Sequence, residues 1–115
     1  MPHDFRAQRR FLPISAQKVR LVIDAVRGQD ANKALEILRF IPQRAADPVL
    51  KLLNSAVANA EENFGISRDS LYVAQIYADE GPTRKWRRFG ARGRFKPILR
   101  RSSHVTLVLR ERGTT

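Results

Sequence analysis

The chain of 115 residues contains no cysteine, and this absence excludes disulfides and thiolate metal sites. Its two histidines, His3 and His104, lie near opposite ends of the sequence without a matching carboxylate cluster, so we expect no zinc site. No stretch approaches the ~18 apolar residues of a membrane span, and the N-terminus lacks the apolar segment of a secretory leader. The sequence therefore predicts a cytosolic protein without a membrane span or a metal site, and we also expect no cofactor and no small-molecule substrate.

The most informative absence is that of acidic residues between Pro82 and Arg101. This segment of 20 residues, here called the arm, holds nine positive side chains and no carboxylate. The other 95 positions carry the remaining 13 basic residues and all 11 acidic ones, a net charge of only +2. A basic run of this kind repels itself in water and is typical of a segment that binds a polyanion, either nucleic acid or an anionic membrane.

Aromatic residues within the arm favour nucleic acid over a membrane. Trp86, Phe89 and Phe95 alternate with the basic residues, and aromatic rings stack on bases while Arg and Lys hold phosphates. The arginines of the arm have no accompanying Asn or Gln that would read adenine edges, so we expect recognition of shape and backbone rather than of base sequence.

Apolar residues at helical spacing predict two short helices after the first dozen residues. The first helix opens at Ser15, which is a typical N-cap, and Gly28 is expected at its C′ position. The second helix begins after Asp30, whose side chain is expected to cap it. It should end near Pro42, because proline disfavours the helical conformation in the residue before it.

A third and longest helix is predicted to end at Gly65, and its start lies either near Arg44 or at Asp47 acting as the cap. After Gly65 the apolar period changes from about 3.6 to 2 over residues 71–78, which predicts a strand. A second alternating run, over residues 104–110, predicts another strand at the end of the chain.

The arm lies between these two predicted strands and is therefore most simply the extended end of a hairpin. Two sides of about ten residues, at roughly 3.3 Å per residue, would project on the order of 30 Å. The segment from Phe5 to Leu12 favours a third strand more weakly. The length and apolar content fit one domain, residues 1–115, with residues 82–101 as its arm.

Two hydroxyl residues raise the question of catalysis. Ser15 and Lys18 have the Ser-x-x-Lys spacing of serine acyl enzymes, in which the lysine takes the hydroxyl proton. The companion motifs of those enzymes are missing, and helix capping already accounts for Ser15. Ser103 and His104 are neighbours on a strand and point to opposite faces, so they cannot pair directly. We expect no catalytic residue.

Two further motifs accompany the arm. Asp79 and Glu80 are adjacent where the strand meets the arm, and turn chemistry and local charge compensation explain them better than an acid and base pair. Gly90 and Gly93 have the Gly-x-x-Gly spacing of the loop that clamps nucleic-acid backbone in the KH fold. That loop joins two helices, whereas this one lies inside a hairpin, so we interpret these glycines as residues of the tip turn.

Five blocks of sequence, in this order along the chain, carry a family resemblance between about Phe11 and Arg110. The blocks are Ser15-Ala16-Gln17-Lys18-Val19-Arg20-Leu21-Val22, Ser55-Ala56-Val57-Ala58-Asn59-Ala60-Glu61, Asp79-Glu80-Gly81-Pro82, Ala91-Arg92-Gly93-Arg94 and Arg101-Ser102-Ser103-His104-Val105. They resemble the family of ribosomal protein L-twenty-two of the large (50S) ribosomal subunit, bacterial type.

The resemblance implies an α+β fold with three helices packed on a small three-stranded antiparallel sheet and a long protruding β-hairpin. It also implies a structural role in the ribosome near the exit of the nascent-chain tunnel, where the hairpin threads through ribosomal RNA (23S in bacteria). The implied partners are that rRNA, neighbouring large-subunit proteins and the nascent polypeptide, and the implied function includes assistance in subunit assembly.

Carried onto this sequence, the resemblance assigns the flanks of the arm to rRNA and its tip to the tunnel wall. The candidate rRNA-binding residues are Arg84, Lys85, Trp86, Arg87, Arg88, Arg92, Arg94, Lys96, Arg100 and Arg101, with Arg9, Arg10, Lys18 and Arg20 outside the arm. The tunnel-lining tip is Gly90, Ala91, Arg92, Gly93 and Arg94.

Two functions of other classes compete with this one. An architectural DNA-binding protein also uses basic β-arms, but such proteins usually act as dimers that wrap a duplex. A small hydrolase that uses Ser15 and Lys18 would be labelled by serine-reactive probes. A monomer that prefers rRNA over duplex DNA and resists such labelling would exclude both.

Overall fold

The computed structural model describes residues 4–82, 84–89 and 95–112, and within 84–89 and 95–100 it describes the backbone. The helices in this part of the chain are α1 (Ala16–Ile23), α2 (Ala31–Phe40) and α3 (Ala46–Phe64), with a short 3₁₀ turn at Arg68–Ser70. The strands are β1 (Asp4–Leu12), β2 (Leu71–Glu80), β3 (Arg84–Phe89), β4 (Phe95–Arg100) and β5 (Ser103–Glu111). The fold is α+β, as predicted. None of the helices described here has the length and apolar character needed to cross a bilayer.

Three strands form an antiparallel sheet in the order β1–β5–β2, with β5 in the centre. Phe5 of β1 lies opposite Leu109, and Val73 of β2 lies on the other side of the same residue. The weaker prediction of a strand from Phe5 to Leu12 is therefore confirmed. Alternate residues of β5, including Leu107 and Leu109, are buried and join one hydrophobic core with the apolar residues of the three helices. The period-2 pattern gives the sheet one apolar face, and the three helices cover that face.

The arm forms a second, two-stranded sheet in which β3 pairs with β4. Its register runs from Arg84 opposite Arg100 to Phe89 opposite Phe95. The Gly81 N–H donates to the Ser102 carbonyl at 2.9 Å, so the pairing of β2 with β5 leads directly into the arm. The chain extends 68 × 26 × 21 Å with a radius of gyration of 17.4 Å, whereas a compact domain of this length has a value of about 13 Å. The predicted hairpin is confirmed by this pairing and elongation.

Ser15 caps α1, as predicted. Its Oγ accepts a hydrogen bond from the backbone N–H of Lys18 at 3.4 Å, which satisfies one of the free N–H groups of the first turn. The Ser15 hydroxyl therefore makes the capping hydrogen bond that is expected of a serine directly before an amphipathic helix.

Replacing this cap tests its structural role. Ser15→Ala is expected to lower the free energy of unfolding by about 1 kcal/mol, because one helix N–H loses its acceptor. Ser15→Asp retains an acceptor at the cap and is the matched control, expected to lose less. Urea denaturation monitored by circular dichroism measures both, and equal stability of Ser15→Ala and the parent chain would contradict the capping assignment.

The expectation that Gly28 lies at the C′ position of α1 is wrong, because α1 ends five residues earlier, at Ile23. Beyond Ile23 the hydrogen bonds tighten, and the Val26 N–H donates to the Ile23 carbonyl at 3.1 Å. This tightening turns Val26 into the core, where it is fully buried. Gly28 then donates its N–H to the Val73 carbonyl at 3.0 Å and ties the loop to β2. Apolar periodicity cannot distinguish such a turn from another turn of helix.

Helix α2 begins directly after Asp30, but the predicted side-chain cap is wrong. The Asp30 carboxylate accepts instead from Arg112 Nε at 2.6 Å, because the fold brings the end of the chain to the start of α2. The predicted end near Pro42 is confirmed, since α2 ends at Phe40 and Ile41 has the extended conformation that a residue before proline prefers.

Helix α3 begins at Ala46, between the two starts predicted for it. Asp47 lies in the first turn rather than at the cap, and it forms an ion pair with Lys51 at 3.3 Å. The predicted end is confirmed, because Gly65 has a φ of 66° and donates to the Glu61 carbonyl at 3.1 Å. This left-handed conformation closes the helix without the steric cost that a side chain would add.

Candidate nucleic-acid interface

The strands meet the arm at one end of the body, which we call the arm-base end. Here the central strand β5 starts at Ser103, which lies opposite Leu12 on one side and Glu80 on the other. Arg9 and Arg10, near the end of β1, are exposed at this same end. The sheet topology thus places two of the predicted RNA-binding residues beside the base of the arm, although the chain separates them from the arm by about 70 residues.

Helix α1 brings the other two predicted residues of the body to this end. The Arg20 guanidinium donates from Nε and Nη2 to the Ala78 carbonyl, at 3.2 and 2.9 Å. Ala78 lies near the end of β2, close to the arm. Lys18 precedes Arg20 in the first turn of α1 and is exposed. All four predicted residues outside the arm are therefore at the arm-base end.

Arg20 also has a structural role that the sequence pattern does not reveal. Strand β2 is an edge of the sheet, so carbonyl groups on its outer side have no partner strand. Arg27 donates from Nε and Nη2 to the Ile76 carbonyl at 3.3 and 2.9 Å, just as Arg20 does to Ala78. The two arginines hold α1 and the turn after it on this edge, and they occupy hydrogen-bonding groups that would otherwise be open to a second chain.

Two further cations of the arm-base end are not singled out by the sequence pattern. Arg39, in the last turn of α2, and Arg44, in the loop before α3, are both exposed. With Arg9 they line an open groove of about 930 Å³ between the end of β1, the end of α2 and the start of α3. We call this the α2–α3 groove. Among its described lining residues Asp47 is the only acid, and it is paired with Lys51.

The opposite end of the body has a different distribution of charge. There three arginines are paired with carboxylates: Arg110 with Asp4 at 2.8 Å, Arg112 with Asp30 at 2.6 Å, and Arg68 with Glu61 at 2.7 Å. At the arm-base end, seven cations have no carboxylate within 4 Å among the residues whose side chains are described: Arg9, Arg10, Lys18, Arg20, Arg39, Arg44 and Arg101. The exposed carboxylates described beside the arm are those of Asp79 and Glu80, so the cations are in excess. Uncompensated positive charge is thus concentrated beside the arm.

The Asp4–Arg110 pair shows the effect of such compensation. The hydrogen bond from Arg110 holds the pKa of the Asp4 carboxyl below its ordinary value, and the Asp4 carboxylate raises the pKa of Arg110 in turn. Both side chains remain charged near neutral pH, and their charges cancel. This end of the body consequently offers a polyanion little net attraction.

Ser103 and His104 do not form a pair, since Ser103 Oγ has no hydrogen-bond partner among the described residues. Ser103 is buried, and His104 Nδ1 accepts a hydrogen bond from the Phe11 N–H at 3.0 Å. That N–H is available because the pairing of β1 with β5 is irregular between Arg9 and Leu12, where Phe11 has a φ of 54°. Within the residues that the structure describes, no three His, Asp or Glu side chains come together as a metal site would require.

The assignments at the tip of the arm, Gly90, Ala91, Arg92, Gly93 and Arg94, lie outside the described residues, as does the Gly-x-x-Gly motif. For the flanks, Arg84 to Arg88 and Lys96 to Arg100, the structure gives the backbone pairing. That pairing places the basic flanks side by side along the arm. Arg101 follows β4 directly and is exposed at the base of the arm.

The fold and the charge distribution define a class of small α+β proteins in which a basic two-stranded arm and a cationic end of the body share one side of the molecule. A family model described as ribosomal protein L22p/L17e matches residues 7–110. The chain belongs to this ribosomal protein family, and it is a structural component rather than an enzyme.

Relatives named large ribosomal subunit protein uL22 cover nearly the whole chain. The protein from Thermoanaerobacter sp. (strain X514) is 50% identical over 107 residues, which are 93% of this chain and 96% of the relative. The protein from Clostridium novyi (strain NT) is 49% identical over 107 residues, with the same coverage of both chains. The protein from Acetivibrio thermocellus is 50% identical over 103 residues, 90% of this chain and 82% of the relative.

Proposed function

We propose that this protein is a structural constituent of the large ribosomal subunit that binds rRNA through the arm and the arm-base end. The observation that carries the proposal is the coincidence of the acid-free arm, with its nine positive charges, and the unpaired cations of the body at the same end. Relatives with about 50% identity are named as proteins of the large subunit, which supports that location for this chain.

The arm provides both reach and charge for this role. A ribbon of paired strands can enter a narrow space between RNA segments, and its basic side chains are then surrounded by phosphates. If six of the nine cations contact phosphates, log K should fall with log salt with a slope of roughly 4 to 5. An isolated two-stranded ribbon is only marginally stable in water, so RNA also supplies the surroundings that hold the arm.

The finer parts of the proposal concern the tip and the assembly of the subunit. The tip, Gly90 to Arg94, lines the tunnel through which the nascent polypeptide leaves, and the body contacts neighbouring large-subunit proteins near the tunnel exit. Binding of several rRNA segments by one chain assists early assembly, because a single rigid body then fixes their relative positions. These roles rest on the resemblance to the family, together with the length of the arm.

Sedimentation of a tagged copy from cell lysate through a sucrose gradient, at moderate salt, tests the proposal. We expect the protein to comigrate with large subunits and 70S ribosomes. After the rRNA is digested with ribonuclease, the protein should no longer appear in those fractions. Deoxyribonuclease treatment is the matched control and should change nothing. Protein that stays at the top of the gradient, or that follows DNA, would reject the ribosomal role and favour an architectural DNA-binding protein.

A further inference from the structure

The two edges of the sheet differ in how far the fold covers them. On β2, Arg20 and Arg27 donate to carbonyl groups of the outer edge. Strand β1 is the other edge, and β5 is its one neighbour in the sheet. Among the described residues, no hydrogen bond from another element reaches the outer backbone groups of β1 between Arg6 and Gln8. An open edge of this kind is a template for pairing with a further strand.

The register identifies the backbone groups of β1 that face outward. Alternate residues of an antiparallel strand bond a given neighbour. Ile76 and Ala78 turn their carbonyls away from β5, so Tyr77 between them bonds β5, where Thr106 is its partner. Thr106 therefore does not bond β1, and its partner on that side, Gln8, directs its N–H and C=O outward. Gln8 is exposed, so a second chain can reach both groups.

The α2–α3 groove begins beside this open edge, because Gln8 and Arg9 are among its lining residues. Its walls include three aliphatic side chains that are only half-buried: Ile14, Ile41 and Leu50. An extended segment paired with β1 would direct alternate side chains toward the helix side of the sheet, where the groove lies. Apolar side chains in that row would complete the burial of the three aliphatic residues.

The charges of the groove restrict the segment further. Arg39 and Arg44 line it without a carboxylate within 4 Å among the described side chains, and Asp47 is paired with Lys51. Acidic side chains on a bound segment would compensate the two arginines. Nucleic acid could also do so, but it has no row of N–H and C=O groups for the edge at Gln8 and no aliphatic side chains for the groove. The combination therefore favours a peptide.

We propose that the edge of β1 and the α2–α3 groove bind an extended segment of a neighbouring large-subunit protein, which adds a fourth strand to the sheet. Its apolar side chains alternate with polar ones and enter the groove, and its acidic side chains contact Arg39 and Arg44. The inference rests on the proposed function, because such a neighbour is present only within the large subunit. Arg10, Lys18 and Arg101 do not line the groove and remain available to RNA.

Crosslinking from position 43 tests the occupant of the groove in the assembled particle. Gln43 is an exposed lining residue in the loop before α3, and photoreactive benzoylphenylalanine replaces it in the full chain. Large subunits that contain this variant are isolated, irradiated and analysed by mass spectrometry. We expect a crosslink to one segment of a large-subunit protein in which apolar and polar residues alternate and an acid is present. The same probe at Leu21, which is exposed and does not line the groove, should not reach that segment.

The outcomes separate this inference from the proposed function. A crosslink from position 43 to rRNA, a crosslink to a segment without this alternation, or no crosslink in subunits that contain the variant would overturn the inference and leave the ribosomal role intact. Failure of the unsubstituted protein to enter the subunit would reject the proposed function itself.

A proline at position 8 tests the pairing with the strand edge. Gln8→Pro removes the outward N–H, a change that edge strands tolerate. Gln8→Ala is the matched control, because it loses the same side chain, with its bond to Thr106 Oγ1 at 3.4 Å, but retains the N–H. The crosslinked segment, made as a fluorescent peptide, should bind full-length Gln8→Pro roughly fivefold more weakly than Gln8→Ala, since one hydrogen bond is lost.

Urea denaturation establishes that both variants are folded before the peptide is titrated. Equal affinity of the peptide for the two folded variants, or no binding of the peptide to the unsubstituted chain, would contradict strand addition at β1.

Discussion

Deletion of residues 82–101 is expected to remove most of the affinity for rRNA while leaving the body folded. The deletion lowers the net charge from +11 to +2, and the phosphate contacts of the arm disappear with it. For the intact protein, a salt slope of roughly 4 to 5 means that affinity falls about 250- to 1000-fold between 50 and 200 mM salt. The affinity of the shortened variant should fall only about 20- to 40-fold over the same range of salt, the loss expected when three cations of the arm-base end contact phosphates.

The structure explains why the shortened body should still fold. Glu80 and Ser103 are paired across β2 and β5, and the Gly81 N–H already bonds the Ser102 carbonyl at 2.9 Å. Removing the arm joins Gly81 directly to Ser102, which makes a two-residue connection with glycine in the first position, a common hairpin turn. The core residues that the structure describes belong to the sheet and helices of the body, which the deletion retains.

Titration of fluorescent large-subunit rRNA fragments over a series of salt concentrations measures the slope for each protein, and circular dichroism checks the fold. A full-length variant distinguishes the effect of the arm's charge on binding from the effect of its shape. In this variant Gln replaces six arm cations: Arg84, Lys85, Arg87, Arg88, Lys96 and Arg100. It should behave like the deletion if phosphate contacts dominate. An unchanged salt slope in both variants would show that the arm is not the main RNA-binding element.

Much of the fold could be predicted because its signals are local. The change from a period of 3.6 to a period of 2 after Gly65 predicts the boundary between α3 and β2, and a serine before an amphipathic run predicts the cap of α1. The errors have a different cause. The side chain of Asp30 is taken by Arg112, a residue 82 positions away, and the early end of α1 depends on where Val26 is buried. Neither fact is encoded within a window of a few residues.

The candidate site likewise has residues that local sequence signals predict and residues that only long-range contacts reveal. The arm could be predicted from charge alone, because its cations are consecutive and no acid interrupts them. Arg39 and Arg44 could not, since each is an ordinary surface residue until the order β1–β5–β2 brings the end of β1 beside the end of α2. The one local signal was the stretch from Arg39 to Ala46, which holds two arginines, an exposed phenylalanine and no acid.

Leu107→Ala is expected to lower the free energy of unfolding far more than loss of the helix cap in Ser15→Ala. Leu107 is in the centre of β5, opposite Ala7 on one side and Ile76 on the other, and only 1% of its surface is exposed. Truncating a buried leucine typically costs about 2 to 5 kcal/mol, through lost burial and the cavity that remains. Domains of this size have about 5 to 15 kcal/mol in total, so a loss near 3 kcal/mol should lower Tm by roughly 10 to 20 °C.

Thermal and urea denaturation of the full chain measure this loss, and Leu21→Ala provides the same chemical change at a site that is 68% exposed. The control should change the free energy of unfolding by no more than about 0.5 kcal/mol. Similar losses in the two variants would contradict the core described for this fold.

Because β5 follows β4 almost directly, a weakened central strand also loosens the base of the arm. Leu107→Ala should therefore lose rRNA binding when it unfolds on heating, at a temperature where the control still binds, although every cation of the interface is retained.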